Sequence, residues 1–317
     1  MYDKMKHIGS VVAKVFNKME NFLKPGITTK DIEIECVRLL KEQGAQSSCK
    51  GYRGFPGELC ISINNEVCHG IPSSKRVIRK NDLVSIDIVA NKDGYNGDSC
   101  VSFLIGDQMT KAKATSKTSD HCEAGTASKT SDHCEAGTAS QASDSCVTSL
   151  IGESTNINNQ YNMENPFIIG DASERAKTKI LKATYECMWN AIFHIKAGIR
   201  IGDLGYLMES YANKLGYTVV RDFCGHGISV NMHEDPQVPF YGRRNTGETL
   251  KAGTCITIEP MLILGSPKVE ILEDDWTAVT KGISCQFEHT VWIHENGYEV
   301  MTYNKYDANN GKIQSNV

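Results

Sequence analysis

No stretch of this 317-residue chain approaches the ~18 consecutive apolar residues that a membrane-crossing helix needs. The first residues, Met1-Tyr2-Asp3-Lys4-Met5-Lys6-His7, are charged and helix-prone, and they lack the apolar core of a secretion signal. A strong excess of either charge is also missing. The formal net charge is -4 and the pI about 6.2, which argues against a general nucleic-acid binder. There are 12 cysteines but no CxxC pair, so a thiolate-built zinc or redox site is not indicated. Cys60, Cys68, Cys100, Cys224, Cys255 and Cys285 are scattered through apolar, strand-like runs, a pattern of buried free thiols in a reducing cytoplasm rather than of a secreted disulfide framework. What is present is enough chain, 40% hydrophobic, for one large α/β core or two small domains.

Carboxylates stand where apolar strands are expected. The runs Val84-Ser85-Ile86-Asp87-Ile88-Val89-Ala90 and Tyr95-Asn96-Gly97-Asp98-Ser99-Cys100-Val101 flank Asn91-Lys92-Asp93-Gly94, and an Asp-Gly between β-rich runs is a strong hairpin signal. If Asn91 to Gly94 form a four-residue loop, Ala90 pairs with Tyr95 and Asp87 falls directly opposite Asp98, with Cβ atoms about 4.5 to 5.5 Å apart. Two ionised carboxylates that close repel unless one is protonated or a cation lies between them. Glu259 in Thr257-Ile258-Glu259-Pro260-Met261 and Glu288 in Gln286-Phe287-Glu288-His289-Thr290 likewise sit in apolar strand-like runs, and Cys224-Gly225-His226-Gly227 adds an imidazole. Such groups are costly in a core unless paired or bound to metal. Four carboxylates and one imidazole balance two dications, and an O/N donor set without thiolate suits Co, Mn, Fe or Zn.

With these motifs in order, the chain resembles the type I methionine aminopeptidases. The resemblance is carried by Cys68-His69-Gly70-Ile71-Pro72, Asp87 with Gly97-Asp98, Gly225-His226-Gly227, His233-Glu234-Asp235-Pro236, Ile258-Glu259-Pro260-Met261 and Gln286-Phe287-Glu288-His289-Thr290, from about Gly51 to Val291. It implies an α+β pita-bread fold with two pseudo-twofold-related halves, mainly antiparallel sheet, and helices on the outer face. It also implies two divalent metal ions on Asp87, Asp98, His226, Glu259 and Glu288, holding a hydroxide that attacks the carbonyl after an N-terminal methionine when the second residue is small. Glu259 moves the proton, His233 bonds the developing oxyanion, and His69 contacts the scissile amide. Cys49, Tyr52, Phe55, Cys60, Met232 and Trp276 match the methionine-side-chain pocket. Three positions depart from the family pattern: Arg53 replaces a histidine, Met232 an aromatic, and Ser229 a glycine. The implied partners are nascent polypeptide N-termini and the ribosome presenting them, for a cytoplasmic monomer without membrane or nucleic-acid readout. The alternatives are another pita-bread peptidase, such as a proline dipeptidase, and a non-catalytic binding protein of this fold. Such binding proteins lose ligands, whereas this chain keeps all five.

The two halves are internally related. Lys24-Pro25-Gly26-Ile27, Asp31 and Gly44 recur as Lys196-Ala197-Gly198-Ile199, Asp203 and Gly216, a constant offset of 172 that also carries Asp87 onto Glu259. Each half reads as an N-terminal helix, a Gly-Ile turn, a second helix (29–43 and 202–215) and paired strands that deliver a ligand. The expected division is 1–106, a low-complexity insertion at 107–170, and 171–317. In the insertion, Lys117 to Ser128 repeats without change as Lys129 to Ser140, and a decayed third copy begins at Gln141. This material is rich in Ser, Thr, Asn and Ala, too polar to bury a core, and it reads as a tandem duplication in a tolerated surface loop. His121, Cys122, His133 and Cys134 within it lack zinc-site spacing. Glu259 and Glu288 are separated by only 28 residues, without the subdomain that type II relatives carry there.

Overall fold

The computed structural model describes residues 1–106 and 174–307. The chain divides into a compact unit made of Met1–Ala114 and Phe167–Val317 and a second segment, Thr115–Pro166, which lies outside the described residues. The expected insertion at 107–170 and its repeats therefore also lie outside them. In the described part, helix α1 (Tyr2–Met19) and helix α2 (Thr29–Glu42) precede strands β1 (Gln46–Ser47), β2 (Cys60–Ile63), β3 (Glu66–Cys68), β4 (Leu83–Lys92) and β5 (Tyr95–Leu104). Helices α3 (Glu174–Ile192) and α4 (Ile201–Lys214) follow, then β6 (Thr218–Val219), β7 (Cys224–Gly227) and β8 (Glu234–Pro239). The rest is β9 (Cys255–Ile258), β10 (Met261–Leu264), β11 (Val269–Ile271), β12 (Ala278–Thr280), β13 (Ile283–Gln286), β14 (His289–Ile293) and β15 (Tyr298–Val300). The strands pair antiparallel in sheets ordered β1-β4-β2 with β5 on β4, β13-β10-β6, β11-β12-β3, and β15-β14-β9-β7-β8. No helix among the described residues is long and apolar enough to cross a membrane.

The offset of 172 survives in the backbone. Helix α2 maps onto α4, residue for residue at both ends. The isolated bridge Thr28↔Val77 maps onto Arg200↔Thr249. The bond from Gly26 N to Ile78 O (2.9 Å) maps onto that from Gly198 N to Leu250 O (3.0 Å). Both helices open with an aspartate that accepts from the backbone three residues earlier: Asp31 Oδ2 from Thr28 N at 2.8 Å, and Asp203 Oδ2 from Arg200 N at 3.2 Å. These bonds satisfy amides that helix starts leave free.

The β4–β5 hairpin corrects the expected register. Asp93 (φ 53°) and Gly94 (φ 81°) form a two-residue turn between Lys92 and Tyr95, so the loop is two residues shorter than 91–94. Two successive left-handed residues match the strand twist and make the tighter turn the better one. As a result Asp87 faces Cys100 and Asp98 faces Val89. The two aspartates are diagonal neighbours on one face rather than directly opposed, about 7 to 8 Å apart at the backbone. Alternation divides this sheet. Val84, Ile86, Ile88 and Ala90 join the main core, against which α1 packs, while Asp87 and Val89 face the other way.

Close backbone approach constrains α4. A Cβ at Gly205 would lie 2.2 Å from Tyr241 O and 2.5 Å from Tyr241 C. Gly205→Ala would gain about 1 kcal/mol of helix propensity, but main chain cannot yield as a side chain can, and overpacking costs about 1 to 3 kcal/mol. The clash should win. We expect a lower melting temperature for Gly205→Ala, and an unchanged or higher one would show that the α4 contact is soft.

Candidate metal centre and peptide pocket

Strand junctions deliver the two glutamates. Strand β9 pairs with β14 (Ile258↔His289) and β10 pairs with β13 (Met261↔Gln286), so residues 259–260 and 287–288 lie in the gap between two ladders. The expectation that Glu259 and Glu288 sit inside strands is thus corrected: Glu259 follows the last residue of β9, and Glu288 immediately precedes the first residue of β14. Pro260, which has no N–H for a ladder, suits such a break. His226 comes from within β7, its N–H donating to Thr257 Oγ1 at 2.9 Å. Asp98 is locked to β14 twice, its N–H donating to Thr290 Oγ1 (3.0 Å) and its carbonyl accepting from the same hydroxyl (2.8 Å). Glu288 is fixed by its N–H to Cys100 O (2.9 Å) and by Ser99 Oγ donating to its carbonyl (2.7 Å).

Atoms of Asp98, His226 and Glu288 lie within 4.8 Å of one another, and all three residues are buried. His226 Nε2 is 3.5 Å from Glu259 Oε1 and 3.8 Å from Asp98 Oδ2. Asp87 completes the group beside Asp98, on whose carboxyl its charge acts. All five expected residues therefore converge, although Asp87 keeps partial exposure. Burial raises every carboxyl: Asp87 is pushed up to about 7, Glu259 to about 8, and Asp98 and Glu288 well above the usual range, with neighbouring carboxylates adding to the last two. His226 is held down to about 3 by burial first and by His233 next.

The donor set fits a divalent cation. Asp87 Oδ1, Asp98 Oδ1 and Glu288 Oε1 are buried and without a hydrogen-bond partner. Among the described residues no lysine or arginine forms an ion pair with any of the four carboxylates, and His226, their one partner, is neutral. His226 Nδ1 lies 3.0 Å from Gly227 O, which can only accept, so the ring proton is on Nδ1 and the Nε2 lone pair points at two carboxylates. Only a cation or a proton makes that arrangement favourable. Glu259 is held between Thr257 Oγ1, which donates to Oε1 (2.8 Å), and Gln286 Nε2, which donates to Oε2 (3.4 Å).

Beside the carboxylates, Cys49, Phe55, Cys60, Val89 and Met232 form one apolar cluster with Tyr52, Ile71 and Trp276 packed on it. The six residues matched to a methionine pocket are thus in one place. His69, a left-handed residue (φ 57°), stacks edge-on to Phe223 (5.2 Å) and Trp276 (6.2 Å), and burial lowers it to about 4. His233 is exposed, accepts or donates at Nδ1 with Tyr52 Oη (2.7 Å), and stands edge-on to His226 at 4.3 Å. The cysteines on the described residues are free and, apart from the partly exposed Cys224, buried.

Three contributors escaped sequence reasoning. Thr257 and Gln286 hold Glu259, and Asn96 ties β5 to the loop before His233 by donating from Nδ2 to Val230 O (2.8 Å). Spacing offered a signal: Asn96 stands two residues before Asp98 on the same strand face, and Thr257 and Gln286 each stand two residues before an expected glutamate ligand.

The comparisons with known proteins agree with this site. The model of metallopeptidase family M24 matches residues 3–152 and 160–295. Methionine aminopeptidase B of Synechocystis sp. is 34% identical over 307 residues, covering 95% of this chain and 88% of that one. The crystal structure of methionine aminopeptidase from Rickettsia prowazekii superimposes with a TM-score of 0.73 at 28% identity, covering 95% of this chain and 96% of that one. The prolidase from Pyrococcus furiosus shares the fold, with a TM-score of 0.59 at 18% identity over 96% of this chain and 64% of that one. The architecture is the pita-bread fold, and the chain belongs to metallopeptidase family M24, in its methionine aminopeptidase branch.

Proposed function

We propose that this chain is a metal-dependent aminopeptidase that removes the initiator methionine from nascent proteins and peptides whose second residue is small. The observation that carries the reading is the junction of an all-O/N cation site with an apolar, sulfur-lined cluster next to it. Asp87, Asp98, His226, Glu259 and Glu288 would hold two divalent ions. When bound, such ions activate water at neutral pH and offset the charge that develops on oxygen during hydrolysis.

The chain's own groups do the rest. Glu259 takes the water proton and passes it to the leaving amine, with Oε2, held only by the longer Gln286 contact, the oxygen that carries it. Tyr52 Oη donating to His233 Nδ1 leaves the Nε2 proton of His233 available to the developing oxyanion. His69, neutral, contacts the scissile amide nitrogen. Cys49, Tyr52, Phe55, Cys60, Met232 and Trp276 receive the flexible thioether side chain, which soft, apolar walls suit. Free thiols throughout the described core favour a reducing cytoplasm, where nascent chains leave the ribosome.

The test is hydrolysis by metal-loaded protein of Met-Gly-Met, an X-Pro dipeptide and an unrelated dipeptide. Turnover of Met-Gly-Met, lost when the second residue is bulky, is expected; preference for X-Pro would replace this reading with a proline-directed one. Trp276→Ala should raise KM for Met-Gly-Met by about tenfold or more, as the loss of a large apolar wall predicts, with a smaller effect on kcat.

A further inference from the structure

Arg53 is unusual in both backbone and charge. Its φ of 49° and ψ of 23° are left-handed, and Gly51 (φ 80°) and Gly54 (φ 92°) bracket it. The turn thus holds an arginine where glycine would sit without strain, and such outliers gather at functional sites. Its side chain is exposed and lies over the Tyr52 ring, 5.4 Å from the centroid. The Tyr52 hydroxyl bonds His233, and the arginine charge reaches that histidine, adding to burial in lowering it. Tyr52 and His233 also line an open cleft of about 410 Å³ with Ser48, Asn91, Asn96 and Asn231. Val230 and Met232 complete the lining beside these hydroxyl, amide and imidazole groups, and no carboxylate is part of it. Among the described residues Arg53 enters no ion pair, so its charge is not spent within the fold.

We propose that Arg53 is a specificity-determining residue that favours peptides carrying a carboxylate side chain just downstream of the scissile bond, at the third residue. The inference rests on the aminopeptidase reading: with methionine in the apolar pocket, the rest of the peptide leaves past Tyr52 and His233 along the cleft, and Arg53 stands over the ring of Tyr52 in its wall. A guanidinium presents a planar fork of donors matched to a carboxylate. At an exposed rim, one such pair changes affinity by about two- to fivefold and is screened by salt.

The experiment compares Met-Gly-Asp-Ala and Met-Gly-Lys-Ala, both C-terminally amidated, on the metal-loaded wild type and on Arg53→Gln, Arg53→Lys and Arg53→Glu. The wild type should favour the aspartyl peptide by about two- to fivefold, chiefly in KM. That ratio should fall to one in Arg53→Gln, survive in part in Arg53→Lys, and invert in Arg53→Glu. It should shrink in about 0.5 M salt. A wild-type ratio of one, or the same ratio in Arg53→Gln, overturns the proposal. Binding of the two peptides, followed by intrinsic tryptophan fluorescence, to which Trp276 in the pocket contributes, gives a second reading. If neither peptide is hydrolysed, the aminopeptidase assignment falls, while a Kd ratio unmoved by Arg53→Gln would overturn the role of the arginine on its own.

Discussion

Glu259→Ala should lower metal-dependent turnover of Met-Gly-Met by about 10²- to 10⁴-fold, the range that loss of a positioned proton carrier produces. Asp98→Asn should be comparably damaging, because it removes a charge from the site that neutralises the cations. In the proposed role Glu259 would be positioned by two donors, Thr257 and Gln286, and by a buried place next to His226. The sign of the stability change separates this loss from misfolding. Without metal the site crowds buried carboxyls that raise one another's pKa, so removing one relieves repulsion. The metal-free Asp98→Asn protein should therefore melt no lower than metal-free wild type while being inactive when loaded. Full turnover by either variant would sink the assignment, and a large fall in melting temperature of the metal-free variants would show that the carboxylates support the fold rather than burden it.

Chelation of the metal should destabilise the protein, and more so at high pH. A ligand at 100 to 1,000 times its Kd stabilises by about 2.7 to 4.1 kcal/mol, which for a domain of this size is a melting shift of about 5 to 15 °C. The sign with pH follows from the carboxyls. Asp87 and Glu259 are raised to about 7 and about 8 in the metal-free fold, above the usual carboxylate range near 4. Their contribution is fully present below about pH 4 and is lost as pH rises toward 8, because the unfolded chain ionises while the folded one resists. His226, lowered to about 3, acts in the opposite sense, but only below its ordinary value near 6.5. Between pH 6 and 8 the carboxyls dominate. The difference in melting temperature between loaded and chelated protein should thus be larger at pH 8 than at pH 6, as scanning calorimetry with and without chelator can establish. A shift of the same size at both pH values would mean that the buried carboxyls are not what the cations relieve.

Much of the fold was legible because it repeats. The offset of 172 predicted both helices to within a residue at each end, since capping aspartates and Gly-Ile turns are local chemistry. The convergence of His226, Glu259 and Glu288 with the aspartates was legible too, because a carboxylate in an apolar run needs a reason to be there. The register of the β4–β5 hairpin was not. Whether Asn91 and Lys92 belong to strand or loop depends on whether Asp93 accepts a left-handed backbone, and a sequence does not display φ. The breaks at Glu259 and Glu288 were missed for a related reason: strand ladders that switch partners are set by long-range pairing.

The sequence by itself showed carboxylates and an imidazole in apolar runs and the twofold kinship of the halves, which are matters of composition and spacing, while the full ligand set and the residues of the apolar pocket came from the resemblance of its motifs to a known family. Only the tertiary structure decided that Asp87 and Asp98 are diagonal rather than opposed and that Thr257, Gln286 and Asn96 support the site. It also decided that Arg53 lies over the ring of Tyr52, whose hydroxyl bonds His233. Those outcomes depend on distances between residues far apart in the chain, which packing fixes and local pattern does not.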